Sequence, residues 1–458
     1  MHDTNARALW RHLWSGGWHP PVAAGKAMRA FFSARAERRA HRLVAPRWAL
    51  ASAKGLADWR NPEAPLVSIV IPVFNQIQVT LECLRAVLGA AEDPAALELI
   101  VVDDASTEPG VERLRSHPGI TYQRNPENVG FVGSCNTGAG LARGRFLVFL
   151  NSDTLVTPGW LEPLLTKLDE PGVGLVGARL QYPDGRLQEA GGLVFADGSG
   201  WNYGRGGHPG DPRYLSRRDV HYCSGAALAL TRERFLGLGG FDPLFAPGYY
   251  EDTDLAMRVR DSGARVVYEP ESVVVHMEGM SAGTDIARGM KSAQAVNRGK
   301  FFERWQEALR GQHPVAGTEA DLAVRQAGIG WVVAYASGLP DERFLTTVES
   351  LAEHGCAVDL FLDAELPVER VRKARACGVT VWPRAWRATG RWLLTRNGQA
   401  ARAVLTDGSP ESGVWLRQVG GALPVARRLS LAADAGPAGE DGAIQVGGAE
   451  DILPLLEA

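Results

Sequence analysis

Between residues 66 and 150 short, β-rich apolar runs alternate with segments of helical spacing, and the runs stop on polar residues. "LVSIVIPVF" (66–74) reads as a buried strand, "QVTLECLRAVLGA" as a helix, and "LELIVVDDAS" as a second strand ending in acids. "GITYQRN", the small-residue helix "GSCNTGAGLARG" and the strand "RFLVFL" continue the pattern. This order predicts an α/β fold, its mostly parallel sheet covered on both faces. In such sheets ligands bind outside the carboxyl ends of the strands. That is where Asp103 and Asp104, and then Asn151 and Asp153, fall.

At 458 residues, the chain has room for two to four domains of about 100–200 residues each. A formal charge of −3 argues against a general nucleic-acid binder. Cys83, Cys135, Cys223, Cys356 and Cys377 are odd in number and form no CxxC pair, so neither a disulfide framework nor a zinc knuckle is expected. No stretch approaches the roughly 18 apolar residues of a spanning helix, and "MHDTNARALWRHLW" lacks a signal-peptide core. The expectation is a cytoplasmic protein. Residues 1–64 are rich in Arg and Trp, suiting a helical arm packed on the main domain or a basic segment at the cytoplasmic face of the inner membrane.

A lone Asp after a strand is usually a turn or helix-cap residue, which is one reading of Asp153. Polar residues at three strand ends on one edge favour another, half of a Mg²⁺ or Mn²⁺ site completed by a diphosphate. "VSIVIPVFNQ", "VVDDAST", "NVGFVGSCNTGA", "FLNSDTLVTPGW", "GGFDPLF" and "YYEDTDLAMRV" stand in the order and spacing of the family 2 glycosyltransferases. The chain resembles that family over residues 66–305, and within it the bacterial rhamnosyltransferase-like branch that makes surface polysaccharide. The resemblance implies a GT-A fold with a Rossmann-like mixed sheet, a nucleotide-sugar donor, and a glycan or lipid-linked acceptor. It places Pro72, Phe74, Asn75 and Asp103, with Asp104 beside it, at the nucleobase and ribose. An Asp there accepts a hydrogen bond from the imide N–H of uracil or thymine, so UDP or dTDP is the expected carrier. Asn128, Gly130 and Asn136 would lie over the donor, with Gly138 serving either backbone approach or helix packing.

The family's metal motif is Asp-x-Asp, whereas this chain has Asn151-Ser152-Asp153, with one carboxylate. His276, at the end of "VVVH", matches a position that approaches the metal or diphosphate. In "YYEDTDLAMRV" the resemblance makes Asp252 the catalytic base, with Glu251 beside it; acids in a first helical turn are also favoured by the helix dipole alone. One base without a second carboxylate nucleophile implies single displacement and inversion at the sugar. Arg258, seven residues after Glu251, is expected on about the same helix face, near the acids or the diphosphate. Trp201 and Tyr203, in the Gly-rich "DGSGWNYGRGGHPGDPRY", are candidates to stack on a sugar at the acceptor side, while Cys223 reads as packing.

After a linker at 311–326, residues 327–458 repeat a βαβ order, through "GIGWVVAYA", "DERFLTTVESLAEHG", "AVDLFLD" and "VTVWPR", without a GxGxxG turn. This predicts a smaller Rossmann-like α/β domain, accessory or a degenerate GT-B-like lobe, behind the GT-A domain at 65–310. Two other functions compete. A nucleotide-sugar-binding pseudoenzyme is compatible with the single carboxylate. A sugar-nucleotide pyrophosphorylase would need a Gly-rich, basic loop where "PVFNQIQVT" stands.

Overall fold

The computed structural model describes residues 59–277, 292–326, 329–397, 400–407, 409, 415, 427–431, 444–446 and 448–457. The basic segment at 1–58 lies outside the described residues. Strand β1 (Val67–Val73) is buried along its length except at Pro72, as expected of a strand covered on both faces. It pairs in parallel with β2 (Leu97–Asp103) and β4 (Phe146–Leu150), and β2 pairs in parallel with β3 (Thr121–Arg124). Helices α1 (Ile77–Gly89) and α2 (Gly130–Leu141) connect these strands. Helix α2 comes close to the sheet because Gly138 has no side chain: a Cβ there would sit 2.4 Å from Val70 Cγ1. Of the two roles open to Gly138, the structure gives it packing.

The parallel expectation holds only for this half. Beyond β4 the sheet is mixed, in the order β10-β12-β6-β11-β4-β1-β2-β3. Strand β11 (Ala227–Thr231) runs antiparallel to β4 and to β6 (Val173–Gln181), while β12 (Arg265–His276) is parallel to β6. Three short strands attach at this edge: β5 (Thr154–Val156) and β10 (Arg218–Asp219) on β12, and β7 (Leu187–Glu189) on β6. A separate hairpin joins β8 (Gly192–Val194) to β9 (Gly200–Asn202). Two apolar cores fill the two faces, one holding Ile69, Leu99 and Val148, the other Val70, Phe149 and Phe241. Alternate residues of the same strands thus serve opposite cores.

A second, six-stranded sheet is parallel throughout, in the order β15-β14-β13-β16-β17-β18. It comprises β13 (Gly330–Ala336), β14 (Cys356–Leu362), β15 (Thr380–Trp382), β16 (Ala401–Thr406), β17 (Arg427–Leu431) and β18 (Ile444–Val446). Its βαβ order is the one the sequence predicts for this region, with α-helices at Glu342–Glu353 and Val368–Ala376. Among the described residues, no helix is long and apolar enough to cross a membrane.

Candidate active site

A cleft of about 450 Å³ opens at the carboxyl ends of β1, β2 and β4, walled on the far side by the β7–β9 segments and by helix α3 (Glu251–Asp261). Pro72, Phe74, Asp104, Asn128, Gly130, Asn151, Ser152, Asp153, Glu251, Asp252 and His276 all line it. These residues are far apart in sequence, and they meet because consecutive strands end on the same edge.

The acids are not equivalent. Asp252 is half-buried and accepts from two backbone amides: Gly225 N–H donates to its Oδ2 at 2.9 Å and Thr253 N–H to its Oδ1 at 2.6 Å. Burial raises its proton affinity, and those hydrogen bonds oppose the rise. Glu251 lies beside it with Oε2 unpartnered, and burial together with the Asp252 charge pushes its carboxyl well above the usual range. The backbone before them is left-handed at Tyr249 (φ 72°) and Tyr250 (φ 71°), which turns the first acidic pair of α3 toward the cleft.

Across the cleft, His276 Nε2 lies 3.2 Å from Asp153 Oδ1 and 3.3 Å from Asn151 Nδ2. Gln188 Oε1 lies 3.0 Å from His276 Nδ1, and as a pure acceptor it fixes the proton on that nitrogen. The Nε2 lone pair and a carboxylate oxygen therefore converge on one point. This donor set fits a hard or borderline divalent cation that keeps other positions for water and phosphate oxygens. Among the described residues no group of three His, Cys, Asp or Glu encloses such an ion, so the protein would supply part of its shell.

Several expectations are corrected. Asp103 does not face the cleft: its carboxylate accepts from Ser106 N–H (2.9 Å), Tyr122 O–H (2.6 Å) and the Arg124 guanidinium. Burial pushes its pKa up, but these bonds outweigh it and hold the group below its ordinary value. Asn75 accepts from Thr107 N–H and Glu108 N–H, bracing the turns after β1 and β2. Asn136 is likewise committed, its amide pairing with both backbone groups of Phe241. Tyr203 is buried, donates to Asp321 Oδ1 at 2.7 Å and does not line the cleft. Trp201 is half exposed and does not line the cleft, though its neighbours Gly200 and Asn202 do. Arg258 does steady one acid of the first helical turn, holding Asp254 Oδ2 (2.7 Å) along with Leu238 O (2.7 Å), but it does not line the cleft. Cys223 is buried, with its thiol pushed well up by desolvation, as packing requires.

The sequence reading missed Glu189, Gln188, Arg205 and Tyr222, all on the cleft wall. Glu189 ends β7; its Oε1 accepts from Ser224 N–H at 3.0 Å while Oε2 has no partner. Burial, with the neighbouring Asp252 charge adding to it, pushes the Glu189 carboxyl up to about 8. Adjacent amides, those of Ser224 and Gly225, thus present two carboxyls side by side. The visible signal was the polar pair in "DGRLQEAGG", too short to read as a strand.

Residues 68–232 match the model for glycosyl transferase family 2. The chain carries a family 2 glycosyltransferase domain. The mixed sheet just described is its GT-A fold. The domain is 30% identical to the O-antigen biosynthesis protein RfbC of Myxococcus xanthus, over 48% of this chain and 18% of that protein. It is 31% identical to the pre-mycofactocin glycosyltransferase of Mycobacterium tuberculosis, over 48% of this chain and 45% of that one. Among solved structures it is similar to GalNAc-T7 with UDP, GalNAc and Mn²⁺, at a TM-score of 0.44 and 16% identity, covering 58% of each chain. The chain spans less than half the length of these two curated relatives.

Proposed function

We propose that the family 2 domain moves a sugar from a UDP- or dTDP-sugar to an acceptor hydroxyl, with inversion at the anomeric carbon. The observation that carries this reading is the facing of Asp252, on its two backbone amides, and the Asp153–His276 pair across one cleft. Asp252 takes the proton from the acceptor hydroxyl as that oxygen bonds to the anomeric carbon, and the bond to the diphosphate oxygen breaks with its electron pair. Asp153 and His276 would hold a Mg²⁺ or Mn²⁺ ion, which supplies charge neutralisation for the diphosphate. The need for such charge is physical: among the described residues Arg205 is the one Lys or Arg to line the cleft. Asp104 takes over the nucleobase role expected of Asp103. Its two oxygens accept from Val129 N–H, Gly130 N–H and Asn125 Nδ2, so one lone pair is left for an imide N–H. Phe74, exposed at the rim, offers the ring a stacking face.

A surface-glycan or lipid-linked acceptor at the cytoplasmic face of the inner membrane is the setting this reading favours, since one relative is named for O-antigen biosynthesis. Release of nucleoside diphosphate from UDP-, dTDP- and GDP-sugars, with and without Mn²⁺, tests the proposal. We expect slow release from one uridine or thymidine donor, dependent on Mn²⁺ and reduced at least about a hundredfold in Asp153→Ala. Release that ignores both Mn²⁺ and Asp153→Ala, or that occurs only with GDP-sugars, contradicts it.

A further inference from the structure

A second, larger crevice of about 1250 Å³ lies between the β10–β12 edge of the mixed sheet and the start of β14 in the parallel sheet, and shares no wall residue with the catalytic cleft. Its walls carry eight Lys or Arg side chains against five Asp or Glu. Most of the acids are already taken. Asp219 is held by Arg265 in a two-pronged pair, Asp359 by Arg325, and Glu170 by Lys167. Two guanidinium groups are left over.

Arg260 stands near the carboxyl end of α3. Among the described residues no carboxylate comes within ion-pair distance of it, and its Nη1 meets only Met257 Sδ (3.6 Å) and His313 Nε2 (3.2 Å). Burial lowers its proton affinity, and the more distant Asp219 offsets this in part. The histidines around it stay neutral. His313 is pushed down to about 4 and His221 well below its usual value, in both cases first by burial. Their hydrogen bonds fix the tautomers. Val194 O beside His313 Nδ1 (2.9 Å) places that proton on Nδ1 and leaves Nε2 to accept from Arg260, whereas Val194 N–H donates to His221 Nδ1 (2.9 Å) and leaves a proton on Nε2. His221 lines the crevice, so its Nε2–H and the guanidinium of Arg260 are donors on the same wall. Arg218, between the rings of Tyr203 (4.8 Å) and Tyr268 (4.6 Å), has only carbonyl partners and an unpartnered Nε.

A partly buried guanidinium without a counter-charge is costly, and its planar fork matches phosphate oxygens. We propose that this crevice is a second ligand site, separate from the catalytic cleft, that binds a phosphoryl group through Arg260 and the Nε2–H of His221. Its volume exceeds the usual range for small-molecule sites, so a nucleotide as well as an inorganic anion fits the space. The site stands independently of the proposed sugar transfer.

Calorimetric titration of inorganic pyrophosphate in EDTA, onto wild type, Arg260→Gln, Arg260→Lys and Asp153→Ala, tests it. The expected result is binding to wild type that weakens at least about tenfold in Arg260→Gln, recovers in part in Arg260→Lys, and is unchanged in Asp153→Ala. Should Arg260→Gln fail to fold, His221→Phe removes one donor without changing the charge and is expected to weaken binding about threefold or more. UDP titrated in the same buffer separates the sources: heat that depends on Arg260 means the crevice admits a nucleotide, and heat that does not restricts it to the inorganic anion. No binding to wild type at millimolar pyrophosphate, equal binding to Arg260→Gln, or loss in Asp153→Ala overturns the proposal.

Discussion

Glu189 and Asp252 are held by neighbouring amides, and burial raises both, yet they differ in the hydrogen bonds that oppose it. Asp252 has three donors on its carboxylate, whereas Glu189 has one and an oxygen with none. With its pKa raised to about 8, Glu189 keeps its proton in the folded protein at neutral pH, while in the unfolded chain it ionises in the ordinary carboxylate range. Stability linked to it is therefore full at acid pH and is lost as pH rises from that range through about 8. Glu189→Gln, which cannot ionise, is expected to gain stability on wild type as pH rises, by roughly 3–8 °C more in Tm at pH 8 than at pH 5. Thermal melts across that range check this; a constant difference between the two proteins would show that Glu189 is ionised throughout. Asp153 was legible because it sits where an apolar strand pattern stops, and Asp252 because "YYEDTDLAMRV" resembles a family motif. Glu189 was not, because its place opposite Ser224 comes from the β6–β7 pairing, which local patterning does not specify.

At the level of elements, strain gathers around the cleft. Among the described residues, the non-glycine positions with left-handed φ are Asn75, Gln76, Ala105, Tyr249 and Tyr250. They fall after β1, after β2 and before α3, three junctions beside residues that line the cleft. A left-handed conformation costs an L-residue about 1–2 kcal/mol, so these turns are kept by what they position. Ala105 has the least side chain to lose. Ala105→Gly is expected to stabilise the protein by roughly 0.5–1 kcal/mol, since glycine adopts φ 61° freely, with part of the gain offset by unfolded-chain entropy. Chemical denaturation measures it, and a loss of stability would mean that the Ala105 methyl contributes more packing than its backbone costs. The alternation of strands and helices from β1 to β4 was plain in the sequence because β1, β2 and β4 are buried on both faces and so read as apolar runs. The short strands β5 and β7–β10 carry two or three residues each, too few to show a period.

Across the whole molecule, the helix Ala320–Gln326 joins the two sheets. Its Asp321 accepts from Tyr203 and Arg213 on the mixed-sheet side. Its Arg325 donates twice to Asp359 on β14, and the indoles of Trp331 and Trp382 donate to the same carboxylate at 2.7 and 2.6 Å. A buried charge satisfied by four donors fixes one arrangement of the elements that supply them. Tyr203, read from its Gly-rich loop as an acceptor-side ring, belongs to this joint instead. The sequence showed that a second βαβ unit follows the first but not which side chains tie the two together, since those contacts cross more than a hundred residues.

The catalytic cleft is also a property of the whole chain, one wall supplied by strand ends before residue 160 and the other by β7–β9 and α3. The most direct test of the account is the turnover of the accepted donor by Asp252→Asn beside wild type, with donor affinity measured on both. The account predicts turnover lower by roughly 10²–10⁴-fold with donor affinity within about threefold of wild type, because Asp252 acts on the acceptor proton and not on the nucleotide. Turnover at the wild-type rate in Asp252→Asn, with the donor bound, would contradict it.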